Sequence, residues 1–158
     1  MDEGGQDAGI LANYSNTRFY LLDVCNNTFR VCNFSGSWNA ARVITDSFTF
    51  NVFTTVVATI KPNLITLKVG NKTQKQLSYA EGTTTISSFG LYTRMTNNGR
   101  PSSYSKVLIK WMKIYKDNVL VRDYIPVRVG LVGYMYDKVS GELFGNEGTG
   151  KFILGPDI

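Results

Sequence analysis

Apolar residues in this chain recur at every second position, and no window repeats them at i, i+3, i+4 and i+7. Period two is the side-chain period of a strand, with successive side chains pointing to opposite faces, so the pattern leaves little room for amphipathic helices. The alternating runs predict strands over 17–24, 28–34, 47–53, 55–61, 64–70, 86–95, 104–115, 119–127 and 132–138, and a short closing pair in ELFG and KFIL. Turn-forming residues separate them: Asn26-Asn27, Pro62-Asn63, Gly70-Asn71, Asn97-Asn98-Gly99, Asp117-Asn118 and Ser140-Gly141. About ten short strands with such punctuation predict an all-β fold, a β-sandwich or jelly roll.

The 158 residues fall in the range of one domain, and 43% hydrophobic against 18% charged residues is the balance of a chain that packs a core. Residues 1–16 read as a linker or interface segment and 17–158 as the sandwich domain. No apolar run reaches the roughly 20 residues that span a bilayer, so membrane insertion is not expected. The beginning, MDEGGQDAGI, is acidic and glycine-rich where a secretory leader is basic and then apolar. The sequons at Asn13, Asn26, Asn33 and Asn71 therefore carry little weight.

The net charge of +5 raises nucleic acid as a partner, with Lys106, Lys110, Lys113, Lys116, Arg122 and Arg128 grouped in the last third. In SKVLIKWMKIYK, however, lysines interleave with Val107, Ile109 and Trp111, the look of a strand with one wet face. No DNA- or RNA-binding motif accompanies them, and no nucleic acid is expected.

The chain has no histidine, which removes the commonest general base and the usual partner of a serine or cysteine nucleophile. Its acids, among them Asp46, Glu81, Asp117, Asp123, Asp137, Glu142 and Glu147, are scattered, and no two sit at i, i+2 on one strand as a glycosidase pair would. No enzymatic activity and no cofactor are expected. Cys25 and Cys32 cannot make a four-ligand zinc site by themselves, and isolated acids in turns, such as Asp117 and Asp137, are ordinary turn chemistry, so no metal is expected either. A two-residue turn at Asn26-Asn27 would set Cys25 opposite Thr28 and Cys32 opposite Leu21, which predicts free thiols.

Binding is better supplied. Sugars are held by flat aromatic faces together with planar amides and guanidinium groups, and loops on a rigid sheet present such groups. SGSWNAAR (35–42) offers Trp38, Asn39 and Arg42, and TNNGRPSSY (96–104) offers Asn97, Asn98, Arg100 and Tyr104. These seven residues are the candidate glycan contacts. The segment GNEGTGKF places Gly145, Gly150 and Lys151 at phosphate-loop spacing, but Phe152 stands where the magnesium-binding hydroxyl belongs, and a glycine-rich turn is the better reading. In VGYMYDKVSGELFG, Tyr134, Tyr136 and Phe144 flank a turn over Asp137 to Gly141, as an aromatic hairpin would.

The run KIYKDNVLVRDYIPVRVGLVGYMYDKVSGELFGNEGTGKFILGPDI (113–158) resembles the C-terminal half of the concanavalin-like, LamG-like β-sandwich modules of gut-bacteriophage virion proteins, tail fibres in particular, and of related surface proteins of gut bacteria. Those modules carry a strand of the form KIYxxxxLVRDYIPV followed by YDKVSGxLFxNxGTGxFxLGPD. The match covers about a third of the chain closely; 48–71 and 87–95 resemble the family's middle strands more loosely. The resemblance implies a jelly-roll sandwich without catalytic residues, exposed on a virion surface, associated with copies of itself or other virion proteins, and attaching to polysaccharide of the host surface. Two alternatives go with it: a purely architectural capsid or tail protein, and a secreted or surface carbohydrate-binding protein of a gut bacterium. Family modules usually open with a further strand of the sort QYIDTG, and MDEGGQDAGI does not supply it, so either the polypeptide is partial or another chain completes the sheet near residues 1–16.

Overall fold

The computed structural model describes residues 8–12, 18–25, 28–35, 42–44, 49, 51–61, 63–78, 90–91, 94–95, 101–102, 107–146 and 151–155. All regular structure among them is strand, paired antiparallel, with no helix. The chain divides into two compact units, Met1–Val107 and Leu108–Ile158.

In the first unit, β1 (Ala8–Ala12), β2 (Arg18–Cys25), β3 (Thr28–Ser35), β4 (Arg42–Ile44) and the two-residue β8 (Gly90–Leu91) form one sheet in the order β4-β3-β2-β1-β8. A second sheet is the meander β5 (Val56–Lys61), β6 (Leu64–Val69), β7 (Lys75–Ser78), and β9 (Arg94–Met95) pairs with β10 (Pro101–Ser102). Strand β6 packs on β3 and β4, and β7 on β4, so the two larger sheets form the layers of a sandwich. The alternation fixes what lies between them. Ile65, Leu67 and Val69 of β6 are buried, as are Val24, Phe29 and Val31 of the other sheet, whereas Lys68 between them is exposed. A one-residue slip of β6 would turn that apolar set to water, which is why its register is well specified.

Residues 8–12, expected as part of a linker, form β1 instead, hydrogen-bonded to β2 on one side and β8 on the other. The register shifts between Gly9 and Leu11, and the extra residue, Ile10, is buried. AGILA is too short and too poor in β-branched residues to announce itself as a strand; its neighbours and the burial of Ile10 decide its state.

The second unit is a four-stranded meander of β11 (Met112–Lys116), β12 (Val119–Val129), β13 (Val132–Asp137) and β14 (Glu142–Phe144). Asp117 and Asn118 take φ of 50° and 65° in the two-residue β11–β12 turn, the double positive φ of a type I′ hairpin that Asx residues tolerate. Two expected strands do not appear among the described residues. Residues 51–53 lie outside any strand, with Asn51 at φ 59°, and KFIL runs irregularly over 151–154. The strand expected over 104–115 starts only at Met112 among the described residues.

The aromatic hairpin also differs in detail. Met135, not a tyrosine, stands opposite Phe144, so Tyr134 and Tyr136 lie on the other face of the sheet. Phe144 instead meets Tyr124 of β12 edge to face, with ring centroids 5.6 Å apart at 90°.

Candidate functional site

Of the seven candidate glycan contacts, Trp38, Asn39, Asn97, Asn98, Arg100 and Tyr104 lie outside the described residues. Arg42 opens β4, opposite Cys32 in the register. The β2–β3 register sets Cys25 against Thr28 and Leu21 against Cys32, as the two-residue turn predicted.

The described residues present a different concavity, at the end of the β5-β6-β7 sheet. A recess of about 340 Å³ lies between the segment that enters β5 and the turn that leaves β6. Its apolar wall is Val52, Phe53 and Val69; Thr49, Thr54 and Thr55 bring hydroxyls, and Asn71 and Lys72 bring an amide and an ammonium. Phe53 keeps 56% of its surface exposed, an unusual position for a ring in a chain with this much core to fill.

Local backbone chemistry builds this recess. Asn51 in the left-handed region breaks the extended run FTFNVF, so Val52 and Phe53 lie off the sheet rather than pairing in it. Gly70, at φ 55°, turns the chain out of β6, and its N–H donates to the Thr55 carbonyl at 2.8 Å, tying the two sides of the recess together. A β-carbon at Gly70 would stand 3.4 Å from Cγ2 of Thr54, ordinary contact, so the positive φ is what selects glycine there. The Lys72 N–H donates to the Val69 carbonyl at 3.1 Å and closes the turn. The Thr54 hydroxyl reaches only the Val52 carbonyl at a long 3.4 Å, a weak bond that a better partner displaces.

From Ser47 to Ala80 the sequence holds Lys61, Lys68, Lys72 and Lys75 and no aspartate or glutamate. The sequence signal was present in that imbalance, but Thr, Asn and Lys in alternation also describe the wet face of a strand, and 47–53 read as one.

The second unit holds the one buried charged residue among the described ones, Asp137, which has no exposed surface. Oδ1 accepts the N–H of Asp123 at 2.9 Å and of Val139 at 3.1 Å; Oδ2 accepts the Ser140 hydroxyl at 3.0 Å and stands 3.5 Å from Nε of Arg122. Burial opposes the charge and is the largest single influence on this carboxyl. The two N–H donors, the Ser140 hydroxyl and the Arg122 guanidinium together outweigh it, holding the carboxyl below its ordinary value. Next to it, burial pushes the Tyr124 phenol up, against the opposing pull of Arg122. On the opposite face of the sheet, Lys113 and Asp123 pair across β11 and β12 at 3.3 Å.

Both oxygens of Asp137 are occupied and water does not reach them, so the group serves the turn. It satisfies the Asp123 N–H where the β12–β13 ladder ends, while the Asp123 carbonyl accepts from Lys138 N–H at 2.8 Å. Among the described residues no cluster of three metal-ligating side chains occurs. In the region of the glycine-rich turn, residues 147–150 lie outside the described set. Phe152 and Leu154 lie against Gly133 of β13, where a β-carbon would come within 2.8 Å of Cδ2 of Leu154 and 3.1 Å of Cβ of Phe152.

No family model, curated protein or solved structure matches this chain.

Proposed function

We propose that the protein is a non-enzymatic component of a phage virion, of the fibre or tail type, whose β-sandwich attaches to polysaccharide on the host surface. The observation that carries this reading is the 113–158 run, in which the resemblance to virion β-sandwich modules is close, and which falls within the compact unit Leu108–Ile158. The YDKVSGELF part of that run has a physical reason for its pattern: Asp137, Ser140 and Gly141 make the turn that joins β13 to β14. A jelly-roll, concanavalin-like connectivity and association with copies of the chain or other virion proteins belong to the same proposal.

Binding of the purified chain to capsular polysaccharide, and blocking of phage attachment by the chain, test the reading. Both are expected, with attachment weakened in Trp38→Ala and Arg100→Ala. If the chain binds no host glycan and neither substitution affects attachment, adhesion is refuted.

A second reading, an architectural virion protein, is favoured by the exposed apolar side chains of the second unit, above all Leu131 at 89% and Ile153 at 86% exposure. Its position in the particle separates the two: a distal, solvent-facing tip goes with adhesion, and a position ringed by other subunits with assembly.

A further inference from the structure

We propose that the outer edge of β5 is an interface between two copies of the chain, β5 pairing antiparallel with β5 of the second copy across a two-fold axis. The inference rests on the association with copies of the chain proposed above and names the surface that carries it.

Backbone parity opens this edge. Pro62 and Asn63 form a two-residue turn between Lys61 and Leu64, and in the antiparallel ladder behind it every second residue of β5 exchanges hydrogen bonds with β6. The bond from the Gly70 N–H to the Thr55 carbonyl at 2.8 Å fixes which ones: Thr55, Val57, Thr59 and Lys61 face β6. The N–H and C=O groups of Val56, Ala58 and Ile60 therefore point away from the sheet. Strand β5 is the last of its sheet, and no hydrogen bond to those outward groups occurs among the described residues. Such a row is a template for another strand.

The side chains leave the same strip open. Val56, Ala58 and Ile60 stand opposite Val69, Leu67 and Ile65 in the register, so they lie on the face that carries the buried row of β6. That row is enclosed, yet Ala58 is exposed and Val56 and Ile60 are only half-buried. No proline, charge or bulge, the usual guards of an edge, interrupts Val56 to Ile60.

A second copy is the occupant because the strand is complementary to itself. Placing Ala58 opposite Ala58 on the axis sets Val56 against Ile60 on either side, and every outward N–H and C=O of both copies then gains a partner. Val56, Ala58 and Ile60 of the two copies merge into one apolar strip, while on the other face Val57 meets Thr59 as a β-branched pair. Lys61 falls opposite Thr55, so the two lysines stand at opposite ends of the ladder, roughly 20 Å apart at the rise of a strand and beyond the screening length of physiological salt. One continuous sheet results, in the order β7-β6-β5-β5-β6-β7.

Sedimentation of the full chain over a concentration series, with amide exchange followed by NMR, tests this. A dimer is expected in which the amides of Val56, Ala58 and Ile60 exchange fast when dilute and slowly once the dimer forms, while those of Val57, Thr59 and Lys61 are protected throughout. Ala58→Lys and Ala58→Glu each set like charges face to face on the axis. Either alone is expected to weaken the dimer by about tenfold, and an equal mixture of the two variants to restore it. Because Ala58 is exposed and its N–H is not bonded to β6, both variants are expected to keep their sheet content, which circular dichroism checks. A dimer that neither variant weakens, or one that both weaken and the mixture does not restore, overturns the β5 interface and leaves association through another surface in place. A chain that stays monomeric at NMR concentrations overturns both the interface and self-association, and the adhesion reading, tested by polysaccharide binding, stands apart from either result.

Discussion

Asp137 concentrates the energetics of the second unit in one side chain. Four groups converge on its carboxylate, and each is worth more there than at the surface because water is excluded. The folded-state value is below the ordinary aspartate value of 3.8, so the contribution to stability is complete above that value and is lost as pH falls through the lower folded-state value. Acid titration followed by hydrogen exchange should therefore show the amides of β12 to β14 losing protection below about pH 4, where aspartates protonate. Asp137→Asn keeps an acceptor for the backbone N–H groups but loses the charge, and should destabilise the unit by about 1–3 kcal/mol at pH 7. The acid-induced loss should be much smaller in this variant. A variant as stable as the parent, or one with an unchanged acid transition, would show that the carboxylate charge contributes nothing. The pairing partners were invisible in the sequence, because Arg122 and Asp123 meet Asp137 only through the β12–β13 register.

The elements legible in the sequence were the hairpins, where two independent signals coincide. Alternation around Asp117-Asn118 located β11 and β12, and the same holds for the sequences flanking Asn26-Asn27 and Ser140-Gly141. Alternation without a turn signal misled at 47–53, where Asn51 leaves the extended region, and the weakly patterned AGILA gave no signal for β1. The candidate contact residues were chosen by side-chain chemistry in loops, whereas the recess is formed by backbone turns at Asn51 and Gly70 that bring ordinary threonines together. At the β13–β14 connection the chain reverses over residues 138–141, the Gly141 N–H donating to the Asp137 carbonyl at 2.8 Å with Gly141 at φ 75°. A β-carbon there would meet nothing within 4 Å, so Gly141→Ala isolates the backbone term. Denaturant unfolding should register a loss of about 1–2 kcal/mol from the left-handed conformation alone. A neutral result would mean that the turn relaxes to negative φ without disturbing the Asp137–Glu142 pairing.

Across the whole molecule, apolar burial is unevenly shared. Ile10, Val24, Phe29, Val31, Ile65, Leu67 and Val69 are buried in the first unit, whereas Met135 is the one buried hydrophobic side chain among the described residues of the second. The second unit instead relies on ladder hydrogen bonds, the Asp137 network and the Tyr124–Phe144 contact, with far less apolar burial to add to them. It is also shorter than the roughly 70–80 residues below which a single core rarely suffices. The two units should therefore open at different free energies. Native-state hydrogen exchange on the full chain should find the slowest amides in β6, between Leu64 and Val69, where alternate side chains are wholly enclosed. The amides of β11 to β14 should exchange through a lower-energy opening that deepens in Asp137→Asn and leaves β6 unaffected. If the proposed association covers Leu131 and Ile153, the second unit's protection would rise selectively, since a partner that binds only the folded form stabilises that form by mass action. Equal protection of β6 and β12 in the isolated chain, lost together in a single transition, would mean that one cooperative core spans both units and that the uneven burial has no energetic consequence.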